Sequence, residues 1–154
     1  MANSDKRIIY TTDDGGVAIV IPADNCSLTV EQIRDKDVPS GKTSYIVDKS
    51  VIPTDRSFRD AWTYTEYIMG FGVDKAKARE IHKYNIRAVR TEKFKELDIE
   101  FQKALETGAS TTDIVAKKQA LRDAPADSGI AAASDTDALK AQWKTDILGT
   151  SPYS

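Results

Sequence analysis

At 154 residues the chain can bury one moderate core or two small ones, and its 40% hydrophobic, 30% charged composition excludes wholesale disorder. No run approaches the ~18 apolar residues that span a membrane, and no signal-peptide core follows Met1, so neither a membrane partner nor signal-driven export is expected. The net charge of −2 has the wrong sign to mark the whole chain as a nucleic-acid binder, and the lone Cys26 excludes an intrachain disulfide and fits a reducing compartment.

In chain order, the first element is a hairpin. Lys6–Thr12 is β-rich, Val17–Ile21 is β-branched and apolar, and Asp13-Asp14-Gly15-Gly16 between them supplies glycines for the positive φ of a tight turn. The second strand is apolar on both faces, so a neighbour must cover it. Thr29 with Gln32 forms a capping-box pattern for a short helix whose inner face holds Val30 and Ile33. Pro39-Ser40-Gly41 then turns the chain into a strand at Thr43–Val47, and Val51–Asp55 is a further punctuated turn.

From Phe58 to Phe71, seven large groups (Phe58, Trp62, Tyr64, Tyr67, Ile68, Met69, Phe71) fall in fourteen positions. Two readings stand. The strip closes the N-terminal core, or it is an exposed docking surface, since aromatics and Met are enriched in interface cores. Residues 70–74 read as the hinge between a β-rich unit, 1–72, and a helical unit, 73–154.

Asp74 is placed to cap a helix reaching about Glu106, roughly 48 Å long if unbroken. Its apolar stripe, Ile86, Val89, Leu97, Phe101 and Ala104, is narrow, so it must pack on the helices that follow or on another chain. The half from Phe94 onward is expected to be core, with Phe101 at its centre, and the half near Ile81 and Tyr84 to dock a partner or a second copy. Gly108 stops this helix; Ser110 with Asp113 opens another over Ile114–Asp123, and Pro125 closes it. Residues 130–133 read as a linker or weak helix, Leu139, Trp143 and Ile147 share the face of a final amphipathic turn, and Gly149–Ser154 reads as unstructured.

Charge is unevenly spread. Residues 1–74 hold 8 Lys+Arg against 12 Asp+Glu, whereas 75–154 hold 14 against 12. Lys75, Arg79, Lys83, Arg87 and Arg90 form a stripe at helical spacing, which supports a salt-bridged solvated face, protein docking or nucleic-acid binding. From Glu92 onward the signs are mixed, which argues against a continuous phosphate track.

No catalytic pattern appears. Asp13-Asp14-Gly15-Gly16 has no Lys-Ser/Thr to cradle phosphate and no calcium-loop spacing, so it reads as a turn. The pairs Asp35/Asp37 and Asp135/Asp137 lack interleaved apolar residues that would raise a pKa. A nucleophilic pair of Cys26 with the single histidine, His82, has no supporting motif. No catalytic, cofactor-binding or metal-binding residue is expected.

Arg87-Ala88-Val89-Arg90, Leu97-Asp98, Gln119-Ala120-Leu121-Arg122-Asp123 with Pro125, and Trp143 together resemble the phage tail assembly chaperone family. The likeness covers residues 79–147, about half the chain, and Gln119–Asp123 is its most specific element. Ile99 follows Asp98 where the family commonly has Trp, and Lys144 follows Trp143 where Pro often stands.

The resemblance implies a non-enzymatic, tail-associated protein, in the virion tail or in host cytoplasm during assembly, with tail, baseplate or tail-fibre proteins as partners. A homo-oligomer stays open. Trp62, Tyr64, Tyr67, Phe71, Ile81, Tyr84, Arg87 and Arg90 are the expected partner-binding residues, and Asp98, Leu121, Arg122, Asp123 and Trp143 a fold-stabilising motif. Arg122 either meets the negative dipole end of its own short helix or clasps Asp98 across an antiparallel helix pair. The rival reading is a phage-encoded nucleic-acid-binding regulator using the basic helix at 75–95. The expected class is α+β, a small antiparallel β unit followed by a long helix and a short helical unit.

Overall fold

In the computed structural model, which describes Asn3–Tyr153, an α+β chain divides into two units, Met1–Asp74 and Lys75–Ser154. In the first, β1 (Lys6–Thr11) pairs antiparallel with both β2 (Val17–Val20) and β3 (Ser44–Asp48), giving the order β2-β1-β3. Gly15 turns the β1–β2 hairpin at φ +79°, and Thr12 N–H donates to Gly16 O across it at 3.0 Å.

Alternation along β1 then explains the layers. Ile8 faces one way and Ile9 the other, and both are fully buried. Ile8 packs with Val30 and Ile33 of α1 (Val30–Asp37), whose Thr29 and Gln32 form the complete capping box. Cys26 lies against this cluster as a small, partly buried group. Ile9 packs with Val17, Val47 and Trp62 on the opposite face. Each buried isoleucine contributes about 1.5–3 kcal/mol.

Cover on that second face comes from β4 (Trp62–Thr65) paired antiparallel with β5 (Gly70–Val73). The expected hinge at 70–74 is therefore largely a strand: Phe71 and Val73 lie opposite Tyr64 and Trp62 and pack on the Ile9 cluster. Helix on one side and hairpin on the other make the N-terminal unit three layers with β1 at the centre.

The second unit is built on α2 (Lys75–Thr107), 33 residues and about 50 Å long. It ends in a Schellman motif: Gly108 takes φ +68°, its N–H donates to Leu105 O, and Ala109 N–H donates to Ala104 O. The chain folds back as α3 (Thr112–Asp123), two residues earlier than expected because Ser110 Oγ accepts from Thr112 N–H at 3.3 Å. A 3-10 turn at Ala124–Ala126 holds the buried Pro125. Three short helices follow: α4 (Ser128–Ala132), α5 (Thr136–Lys140) and α6 (Thr145–Leu148). Residues 130–133 are thus no loose linker, since Ile130 is fully buried and Ala133 nearly so.

Asp127 accepts from Gly129 N–H at 2.8 Å and pairs with Lys144, which ties α4 to the chain before α6. Asp135 accepts from Ala138 N–H at 2.8 Å and caps α5. Leu139 and Trp143 are buried as their spacing predicts, but the chain breaks after Lys140, so Leu148 rather than Ile147 takes the last core position.

These helices return along much of α2. Arg90 Nη1 reaches Leu121 O and Arg122 O at the end of α3, and Arg79 Nη2 donates to Ala133 O at 3.1 Å. The expected division of α2 into a core half and an uncovered half does not hold. Ala78, His82 and Ile86 are as buried as Leu97 and Ala104, while Phe101 is only partly buried.

The tail also differs from expectation. Trp143 Nε1 donates to Gly149 O at 2.9 Å, and the Tyr153 ring stacks on His82 with centroids 5.5 Å apart. A stretch read as unstructured is ordered as far as Tyr153 because one aromatic ring finds a buried partner on α2. Ser154, the last residue of that expected tail, lies outside the described residues.

Candidate partner-binding site

The aromatic strip divides between the two readings it allowed. Phe58 and Trp62 are each 3% exposed, and Trp62 meets Phe71 edge-on with ring centroids 5.3 Å apart. Tyr64 is partly buried between Tyr45 and Phe71. Trp62 is therefore a core residue rather than an exposed docking group, and Tyr64 and Phe71 pack partly buried against the same cluster, because β4–β5 pairing turns them onto Ile9.

Tyr67, Ile68 and Met69, at the tip of the same hairpin, are 95%, 65% and 68% exposed. A 3-10 turn at Glu66–Ile68 leads into Met69 at φ +44°, the one positive φ among the described non-glycine residues. That conformation costs a side-chain-bearing residue about 1–2 kcal/mol. Glu66 accepts from the Tyr45 hydroxyl at 3.3 Å and ties the base of the tip to the sheet. Three adjacent large apolar side chains thus stand in water at the hairpin tip, one of them on strained backbone.

On the second unit, Tyr84 is 70% exposed, Arg87 is exposed and Ile81 is partly buried. Several basic side chains of the helix at 75–95 have partners within their own unit. Lys83 pairs with Glu80 at 2.8 Å, Lys93 with Glu96 at 2.9 Å and Lys95 with Glu92 at 2.7 Å. Arg90, expected to bind a partner, instead caps the carbonyls at the end of α3, where the helix dipole is negative. Ile99, Leu105 and Val115 add scattered exposed apolar groups.

Of Asp98, Leu121, Arg122, Asp123 and Trp143, only Leu121 and Trp143 are buried, and the other three are exposed. Leu121 is 1% exposed, Gln119 Nε2 donates to Asp123 at 2.9 Å one turn along, and Trp143 is buried. Asp98 is held by Lys118 at 2.6 Å, not by Arg122. The antiparallel register explains the exchange. Lys118 lies level with Asp98 and Phe101, whose ring it also covers at 4.7 Å. Arg122, one turn on, lies one turn back along α2 over the Phe94 ring at 5.8 Å.

Sequence reasoning missed the centre of this unit. His82 is fully buried, and its Nδ1 lies 2.8 Å from the Tyr153 hydroxyl. Asn85 Nδ2 donates to that hydroxyl at 3.3 Å, so the hydroxyl is placed to donate onward to Nδ1. Trp143 meets both rings edge-on, and His82 Nε2 has no hydrogen-bond partner. Burial pushes the His82 pKa down and, as the larger of two opposed effects, pushes Tyr153 up against the Asn85 hydrogen bond. The available signal was spacing: Ala78, His82 and Ile86 are four apart and share one helix face.

Among the described residues no three His, Cys, Asp or Glu side chains gather as a metal ion would require, and no helix is long and apolar enough to cross a membrane. No protein-family model, curated protein or solved structure matches the chain.

Proposed function

We propose that this is a non-enzymatic, bacteriophage tail-associated protein that binds tail-fibre or baseplate components, as a small virion subunit or as an assembly factor. The observation that carries the binding role is the apolar hairpin tip, Tyr67-Ile68-Met69, presented to solvent on a hairpin whose other aromatics are packed. Large apolar anchors on a rigid base lose little freedom on docking, which is how interface hot spots gain affinity. The tail setting rests on the resemblance carried by Arg87–Arg90, Leu97-Asp98, Gln119–Asp123 and Trp143. Location in the virion tail, or in host cytoplasm during assembly, goes with it.

The nucleic-acid reading has less support, because Arg90 turns to the α3 carbonyls and Glu80, Glu92 and Glu96 interrupt the basic face beside Lys83, Lys95 and Lys93. Proteomics of gradient-purified particles tests the tail assignment, with presence expected for a subunit and presence only in assembling lysate for an assembly factor. Absence from both tail and tail precursors overturns it. Replacing the tip, Tyr67→Ser with Ile68→Ser and Met69→Ser, is expected to abolish incorporation while leaving thermal stability unchanged. Normal incorporation of that variant removes the tip from the interface. Sedimentation of wild type and variant shows whether the tip instead joins two copies.

A further inference from the structure

The N-terminal unit is acidic, yet its cations converge. A surface hollow of about 380 Å³ is lined by Arg7, Lys49, Arg56 and Arg59, and by no Asp or Glu among the described residues. Four of the unit's 8 Lys+Arg thus line one concavity that none of its 12 Asp+Glu enters. Asp5 and Asp48 line the adjoining hollow instead, across the shared Lys49, Ile52 and Thr54.

Local structure produces the sorting. Arg7 and Ile19 lie on the same face of the sheet as Ile9, at the end where β1 and β2 lead away from the Ile9 core, and Ile21 continues β2 there at 67% exposure. Ile52 and Pro53, in the turn after β3, supply an apolar wall. Arg56 stands over the buried Trp62 ring, its guanidinium carbon 5.5 Å from the centroid, which holds the charge at the rim. Asp55 turns its carboxylate to Ser57, accepting from the N–H at 3.0 Å and from the hydroxyl at 2.7 Å. Asp60 is 3.8 Å from Arg59 but 86% exposed, a weak competitor. Arg7 Nη1 is steadied by Ser4 O and Lys6 O.

We propose that this hollow binds an acidic peptide segment of a protein partner, with an apolar residue beside its carboxylates. Guanidinium groups take carboxylates in paired hydrogen bonds, and the isoleucine floor takes the neighbouring side chain. A nucleic acid fits less well. The cations gather in one hollow rather than along a track, no aromatic residue lines it, and the Trp62 ring beneath Arg56 is 3% exposed, so no base can stack there. The proposal rests on the protein-binding reading above and gives it a second contact with its own chemistry.

The test is fluorescence anisotropy on the full chain with a labelled peptide Asp-Leu-Glu-Ile-Asp, its neutral analogue Asn-Leu-Gln-Ile-Asn, and a single-stranded oligonucleotide. The acidic peptide is expected to bind at about 0.1 mM, the neutral one not measurably, and binding is expected to weaken as salt rises. Lys49→Gln with Arg56→Gln is expected to weaken binding about tenfold. Because Arg56 covers Trp62, Thr54→Glu serves as the second variant: it puts a carboxylate on the wall without touching the core and is expected to block the peptide. Equal binding of the two peptides, or undiminished binding by both variants, overturns the proposal. Tighter binding of the oligonucleotide overturns it in favour of a phosphate ligand. The hairpin-tip variant is expected to bind the peptide normally, so loss of virion incorporation with intact peptide binding, or the reverse, separates a failure of one reading from a failure of the other.

Discussion

Tyr153→Phe removes one oxygen and keeps the ring that stacks on His82. In the wild-type protein the hydroxyl serves His82 Nδ1 at 2.8 Å and receives Asn85 Nδ2 at 3.3 Å. Without it, a fully buried imidazole whose Nε2 already lacks a partner loses its remaining one. Leaving a buried polar group unsatisfied costs about 1–3 kcal/mol, partly offset because Phe is easier to bury than Tyr. A loss of about 1–2 kcal/mol is expected, or roughly 4–8 °C per kcal/mol for a unit of this size. Urea unfolding measures it. With Trp62→Phe as background, the fluorescence reports Trp143 alone, because the chain has 2 tryptophans. A change under about 0.5 kcal/mol, the range of ordinary surface substitutions, would refute the argument that this hydroxyl serves the core.

The same site predicts a pH dependence. His82 has a folded pKa pushed below its ordinary value, so the unfolded chain binds the proton more readily, and stability present above about pH 6.5 is lost as pH falls from there through the folded pKa. Because His82 is the sole histidine, one NMR titration reads it, and a folded pKa above the unfolded value would sink the idea. Leu121→Ala, at 1% exposure, is expected to cost about 2–5 kcal/mol, whereas Phe101→Ala, only partly buried, should cost less; equal losses would show that Lys118 and Phe101 are better packed than their exposure indicates. Asp127→Ala removes the cap on Gly129 and the pairing to Lys144, with an expected loss of about 1 kcal/mol seen as a lower urea midpoint. The Lys144 contact and then the Gly129 N–H hold that carboxyl below its usual range, so its contribution fades as acid protonates it; an acid midpoint unmoved by the substitution would count against this. Met69→Gly relieves the φ of +44° and is expected to raise the melting temperature slightly while weakening partner capture, and a variant that binds as well as wild type would separate strain from function.

Elements with local chemistry were legible in the sequence. Gly15 fixed the first hairpin, Thr29 with Gln32 fixed the start of α1, and Gly108 fixed the end of α2. The β4–β5 hairpin was hidden because its link carries Met69, not Gly or Asn, at the left-handed position that usually signals a turn. Burial of His82 and order at Tyr153 depend on each other across 71 positions, so neither shows in a local window. The partner of Asp98 turned on a register between α2 and α3 that charge matching alone could not choose. The cationic hollow was invisible for a related reason: Arg7, Lys49, Arg56 and Arg59 become neighbours only when the turn after β3 lies beside the start of β1.

The span between His82 and Tyr153 also sets a time order. Closing the 20-residue separation of Asp98 and Lys118 is cheaper than closing the 71-residue one, by roughly 1 kcal/mol of chain entropy. The α2–α3 hairpin is therefore expected to form first, and the Tyr153 ring to seat last and lift first. Hydrogen exchange should resolve the unit into a slow kernel around Leu97 and Leu121 and a faster-opening flap around Trp143 and Tyr153. Each lift is expected to let solvent reach His82, and because burial disfavours the imidazolium, acid below the ordinary histidine pKa of about 6.5 is expected to prolong the open state.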